Sequence, residues 1–170
     1  MRTRLRQQSG FNLVELIIAM CIVAILASVA ISAMRDYTLR ARISEVVLAT
    51  SDCKNSVAEA FPVRDSAPDA GKWGCEKPAG SSTYAGVVQT STNGAIRVAI
   101  QNLGHSVDNR YIYLVPAHSD GITAMTAAHD LGNSVRGWIC GSDWPLARNA
   151  LPANCRVDMT TFANDDDFSN

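Results

Sequence analysis

A chain of 170 residues, 47% hydrophobic and 18% charged, is long enough for one domain with a real core and too short to expect two independent ones. Its formal charge is −1, and because Arg2, Arg4 and Arg6 precede Gly10, a chain lacking that leader would carry 12 basic residues against 16 acidic ones, a net −4. A non-specific nucleic-acid clamp carries a basic excess, so this balance argues against one.

The first predicted element is a helix. Phe11 to Met34 contains 24 residues without lysine or arginine, interrupted only by the polar residues Asn12, Glu15, Ser28 and Ser32. A helix rises 1.5 Å per residue, so about 20 such residues cross a hydrocarbon core of roughly 30 Å. Three arginines before the stretch and none within it predict, by the positive-inside rule, a cytoplasmic leader and an exported C-terminal part. A secretory signal peptide orders its zones in the same way, but this apolar stretch is long for one and runs into a helical pattern without a turn. A plain membrane anchor leaves Glu15 unexplained, since a carboxylate within lipid is costly unless it is interfacial, protonated or paired.

Gly10-Phe11-Asn12-Leu13-Val14-Glu15-Leu16, behind a short basic leader and ahead of a long apolar helix, resembles the processing site of type IV pilins. The resemblance implies that a prepilin peptidase cuts between Gly10 and Phe11 and that Phe11 is then N-methylated. Residues 1–10 would be the leader and 11–170 the mature chain. It also implies a role for Glu15: the new amine at Phe11 and a carboxylate about one turn along attract strongly at low dielectric. Subunits offset along a filament can satisfy both charges between neighbours. A carboxylate that only complements the helix N-terminus is the simpler reading, and the two are compatible. Relatives often carry a proline near the position of Ser32; this chain has none there, so a proline-dependent kink does not transfer.

From Arg35 the charges begin, yet Ile43, Val46, Val47, Val57 and Phe61 fall near multiples of a helical repeat. One helix is therefore expected over 11–61, with a membrane or filament-core half (11–34) and an amphipathic half (35–61), stopped by Pro62. Residues 62–82, with Pro68, Gly71, Gly74, Pro78 and Gly80, read as a long connecting loop. "GAIRVAIQ" (94–101), "YIYLVP" (111–116) and "SVRGWIC" (134–140) read as strands, with "TYAGVVQT" (83–90) a weaker fourth. The expected fold is α+β, a small antiparallel sheet of about four strands over 83–140, laid on the amphipathic half and burying Ile43, Val46, Val47 and Val57. The pilin resemblance implies the same plan, with the apolar half of the helix protruding.

Cys53, Cys75, Cys140 and Cys155 lie in the polar remainder and Cys21 in the apolar stretch. With no C-x-x-C pair and no nearby histidine, two disulfides in an oxidising compartment are favoured over zinc. Three pairings are possible; the sequential one, Cys53–Cys75 and Cys140–Cys155, closes the shortest loops and is preferred. "WICGSDWPLARNALPANC" resembles the disulfide-closed C-terminal loop of pilins, over 140–155, leaving 156–170 as a tail.

Other motifs carry little chemistry. His105, His118 and His129 have no metal-ligand spacing, so neither metal nor cofactor is expected. Ser119-Asp120 beside His118 is a chance adjacency rather than a triad. No phosphate-binding G-x-x-x-x-G-K-[ST] occurs, so a motor for assembly must be a separate ATPase. Asp165 to Asp167 read as a solvated tail in preference to a calcium site. Trp73, Trp138 and Trp144 read as core and loop anchors.

The resemblance thus implies a structural subunit and not an enzyme. It would be held in the inner membrane by a single span with its C-terminal domain exported, processed by prepilin peptidase, and assembled by a membrane platform into an extracellular fimbrium of homologous subunits. Adhesion, twitching motility and DNA uptake are the roles of such fibres. A type II secretion pseudopilin and a minor DNA-uptake pilin are the alternatives; the closed C-terminal loop disfavours the first and the acidic balance the second.

Overall fold

The computed structural model describes residues 10, 12–78, 80–104, 106–163 and 168 and divides the chain into two units, Met1–Tyr37 and Thr38–Asn170. In the first unit the described chain is helix α1 (Leu13–Leu48) as far as Tyr37. No glycine or proline interrupts α1, so the i to i−4 ladder is unbroken by residues that lack a donor or a Cβ. Ser28 fits the apolar helix by donating its hydroxyl to the Ile25 carbonyl at 2.7 Å.

In the second unit the stretch expected as one helix up to Phe61 is two. After α1 ends at Leu48, α2 occupies Ser51–Ala60. The interruption centres on buried Thr50, whose N–H reaches back three residues to the Val47 carbonyl at 3.2 Å while its hydroxyl donates to the same oxygen at 2.6 Å. A threonine that puts both donors on one carbonyl tightens the turn and breaks the regular ladder. Helix α2 then buries Cys53, Val57 and Ala60, three positions on one helical face. Val47, expected in the core, is only half-buried, while Ile43, Val46 and Val57 are fully enclosed.

The sheet has five strands in the order β1 (Ala85–Thr90), β2 (Ile96–Ile100), β3 (Tyr111–Ala117), β4 (Gly137–Ser142), β5 (Val157–Asp158). The first three pairings are antiparallel, and β2 shows strict alternation, with Ile96, Val98 and Ile100 buried and Arg97 and Ala99 between them half-buried. The inner face, with Val88, Ile112 and Leu114, shares a core with Ile43, Val46, Val57 and Phe61.

Two features depart from the expected antiparallel sheet of about four strands. The fifth strand is parallel to β4, pairing Gly141 with Val157 and Ser142 with Asp158. Parallel neighbours need a crossover, which α4 (Pro145–Ala150) supplies, with Pro145 at its start where a missing N–H costs nothing. Gly141 is required by that pairing: a Cβ there would run into the Val157 carbonyl.

The second departure is on the outer face. Described residues of the C-terminal stretch read as a tail lie on it, so Tyr113, Val115 and Ile139 share a second cluster with Met159 and Phe168. Arg97 seals the margin, its guanidinium 4.7 Å from the Tyr111 ring and 4.4 Å from that of Phe168. This explains why β3 is buried on both faces. The short helices α3 (Ala127–Asp130) and α5 (Thr160–Ala163) complete the element order.

Candidate assembly helix and its covalent framework

The first turn of α1 is built around Asn12. Its backbone carbonyl accepts the Leu16 N–H at 3.2 Å and its side-chain oxygen accepts the Val14 N–H at 3.4 Å, the arrangement of an N-cap. Sequence reasoning saw Asn12 only as a polar interruption. An asparagine placed directly before an apolar-periodic run was the available signal. Glu15 is exposed within that first turn, where a negative charge complements the unpaired N–H groups. Gly10 is exposed, and an added Cβ there would meet nothing within 4 Å, so packing does not demand its glycine. Phe11 lies outside the described residues.

Beyond that turn the helix is bare. Large apolar side chains from Leu13 to Met34 are each more than half exposed, from 52% at Ile17 to 71% at Leu13. Cys21 is exposed among them with a free thiol. A continuous apolar surface on this scale needs a cover, either lipid or other helices. Removing each Leu or Ile side chain from water is worth about 1.5–3 kcal/mol. Moving the helix from lipid to a helix bundle gains little of that, because lipid tails are equally apolar. Polar and charged groups therefore acquire weight in any assembly step.

The second unit is held by two bridges. Cys53 of α2 is joined to Cys75 of the following loop, with Cα atoms 4.9 Å apart, and Cys140 of β4 to Cys155, with Cα atoms 4.4 Å apart. Closing loops of 22 and 15 residues restricts the unfolded chain by about 3 kcal/mol each in the chain-entropy account.

Glu76, which sequence reasoning passed over, organises the loop at the first bridge. Its carboxylate accepts N–H groups from Trp73, Gly74 and Cys75 at 2.7, 2.9 and 3.0 Å, and it also accepts the Thr90 hydroxyl. Burial by itself would raise the Glu76 carboxyl. The hydrogen bonds from Thr90 and from the backbone outweigh it and hold the group below the ordinary carboxylate range. Trp73 is buried, stacked on Phe61 at 5.7 Å, and donates its indole N–H to the Ser91 carbonyl at 2.8 Å. Lys77 pairs with Asp52 of α2 at 3.0 Å.

At the second bridge Trp144 donates its indole N–H to the Ser106 carbonyl at 2.8 Å, under the Arg110 guanidinium at 3.9 Å from the ring centre. Trp138 lies beneath the Lys54 ammonium at 5.5 Å. All three tryptophans thus tie loops or helices to the sheet. His118 and Ser119 are adjacent, but Asp120 directs its oxygens to the backbone of Ile122 and Thr123 and to the Thr123 hydroxyl, and the carboxylate beside His118 Nε2 is that of Asp130, at 3.4 Å. His105 and Asp165 to Asp167 lie outside the described residues.

The Pilin family model, a bacterial filament protein, matches residues 39–156. The chain is 30% identical to a fimbrial protein of Neisseria meningitidis, over 92% of this chain and 86% of that protein. It is 29% identical to a type IV major pilin protein PilE of Neisseria gonorrhoeae, over 90% and 84% respectively. It is also 28% identical to the fimbrial protein EcpC of Eikenella corrodens, over 90% and 94%.

Proposed function

The chain belongs to the pilin family of bacterial filament proteins, and from that premise we propose that it is a structural subunit of a type IV pilus, assembled from the membrane into a filament of pilin subunits. The single observation that carries the reading is the bare apolar helix with one carboxylate, Glu15, in its first turn. Lipid covers that surface before assembly, and neighbouring helices cover it afterwards.

Processing between Gly10 and Phe11 by a prepilin peptidase exposes an amine at Phe11. Methylation leaves that amine cationic, and Glu15 of an adjacent subunit supplies its counter-charge. The exposed Gly10, where an added Cβ would meet nothing within 4 Å, is consistent with a residue kept for recognition by the peptidase. The basic leader holds the N-terminus in the cytoplasm, so the second unit with its two bridges is exported from the inner membrane. An assembly platform with its own ATPase drives extraction. Catalysis has no part in this role. The relatives are named fimbrial proteins and type IV major pilins, so neither the pseudopilin nor the minor DNA-uptake reading is favoured.

Intact-mass and N-terminal peptide spectrometry of the protein purified from its membrane or from sheared fibres tests this reading. The expected species begins at methyl-Phe11 with Cys53, Cys75, Cys140 and Cys155 oxidised. A chain that still begins at Met1 in cells with active prepilin peptidase would overturn it.

A further inference from the structure

The second unit carries a polar cleft to which the proposed function assigns no role. Its volume is about 320 Å³ and it is lined by His118, Ser119, Asn133, Ser134 and Arg136. One wall is the turn that follows β3, the other the segment that leads into β4.

Both walls are fixed by backbone contacts. The His118 N–H donates to the Thr123 carbonyl at 3.0 Å, and the Gly121 N–H to the His118 carbonyl at 3.0 Å. Asp120 accepts the Ile122 and Thr123 N–H groups at 3.0 Å each. Opposite, the Arg136 N–H donates to the Ala117 carbonyl at 3.3 Å. The walls meet at Gly137, where a Cβ would stand 2.8 Å from the His118 carbonyl oxygen and 3.3 Å from the Gly121 Cα. The cleft is therefore preformed and not a gap between loose loops.

Its charges are unevenly matched. Asp120 is engaged in its own turn, and Asp130 accepts the Thr126 N–H at 2.7 Å while lying 3.4 Å from His118 Nε2. Among the described residues no carboxylate pairs with the Arg136 guanidinium. A guanidinium at a preformed cleft suits an oxyanion. The hydroxyls of Ser119 and Ser134 and the amide of Asn133 can donate and accept, which suits a ligand dense in hydroxyl groups.

We propose that this cleft binds a small acidic sugar, with the sugar's carboxylate or sulfate on Arg136 and its hydroxyls on Ser119, Asn133 and Ser134. The volume matches the lower range of small-molecule sites. A nucleic-acid phosphate chain fits less well, because it calls for several cations in a row and the chain as a whole has 16 acidic residues against 15 basic.

The test uses the full chain in detergent micelles, so it is independent of whether filaments form. Saturation-transfer NMR and calorimetric titration would compare sialic acid, a sulfated disaccharide, an uncharged disaccharide and a short single-stranded oligonucleotide. At least one acidic sugar should bind with a Kd on the order of 1 mM, and which of the two binds better identifies the anionic group. Arg136→Gln should weaken that binding by about tenfold with an unchanged circular dichroism spectrum, and Arg136→Lys should restore part of it. The proposal is overturned by any of four results: no acidic sugar bound at about 10 mM, equal binding of the uncharged disaccharide, no effect of Arg136→Gln, or an Arg136-dependent preference for the oligonucleotide.

Discussion

Glu76 shows how much one side chain can organise when its donors are backbone groups. Three consecutive N–H groups and a buried threonine hydroxyl converge on its carboxylate beside the Cys53–Cys75 bridge. A glutamine there keeps the size but has one acceptor oxygen and an amide that faces donors. Glu76→Gln should therefore cost about 1–2 kcal/mol, reduced from the value for a fully buried ionic hydrogen bond by the group's partial exposure. The pH dependence follows from the lowered carboxyl. A group whose folded value is depressed stabilises the fold above its unfolded value and loses that contribution as pH falls through the folded one. Thermal unfolding of the two proteins should thus differ at pH 7 and converge below the ordinary glutamate range. An equal difference at pH 7 and pH 3 would show that the carboxylate's charge is not what holds the loop. Neither Glu76 nor the Asn12 cap has any periodicity, so a reading based on repeat spacing passes over both.

Among the elements, β5 depends most on a single position. It pairs in parallel with β4 across Gly141 and brings Met159 over the outer face, where the Met159 N–H donates to the Ser142 carbonyl at 3.3 Å. Gly141→Ala forces a Cβ into the Val157 carbonyl, an overpacking that should cost about 1–3 kcal/mol. Hydrogen exchange should then show lost protection at Met159, with Ile96, Val98 and Ile112 still protected on the inner face. Unchanged exchange at Met159 would mean that the strand tolerates the intrusion. The β1 to β4 meander was legible because its strands alternate or cluster β-branched residues between turn signals. The two-residue β5 and the four-residue α3 and α5 are too short to leave any pattern. The break at Thr50 was hidden because the apolar spacing continues nearly in register across it.

For the whole molecule, the distribution of exposed apolar surface separates the two units. Between Leu13 and Tyr37 it is almost continuous, while beyond Thr38, among the described residues, only a few side chains such as Leu48, Val63 and Ile122 are comparably bare. A pilus subunit needs this contrast, with one region covered in turn by lipid and by other subunits and another that folds around its own core. Glu15 sits at the start of the apolar region, and the pairing proposed for it predicts a selective defect. Glu15→Ala should insert in the membrane and be cleaved much as the parent is, yet yield at least about tenfold fewer sheared fibres, the effect of losing one partly desolvated ion pair. Normal fibre yield from that variant would remove the charge argument while leaving the family assignment intact.

The sequence by itself determined the apolar helix with its carboxylate and the amphipathic stretch that buries Ile43, Val46 and Val57, and it supplied the residue order on which the proposed processing site rests. Each of these is written locally, as a residue order or a repeat along one element, and needs no partner to be read. It also singled out the four cysteines, but their bridges join residues from different elements. Only the tertiary structure decided that Glu76 would gather the bridged loop, that β5 would pair in parallel with β4, and that Phe168 would pack against Tyr113. Those outcomes depend on contacts between residues far apart in the chain, where steric fit and hydrogen-bond partners select the arrangement and no local spacing encodes it.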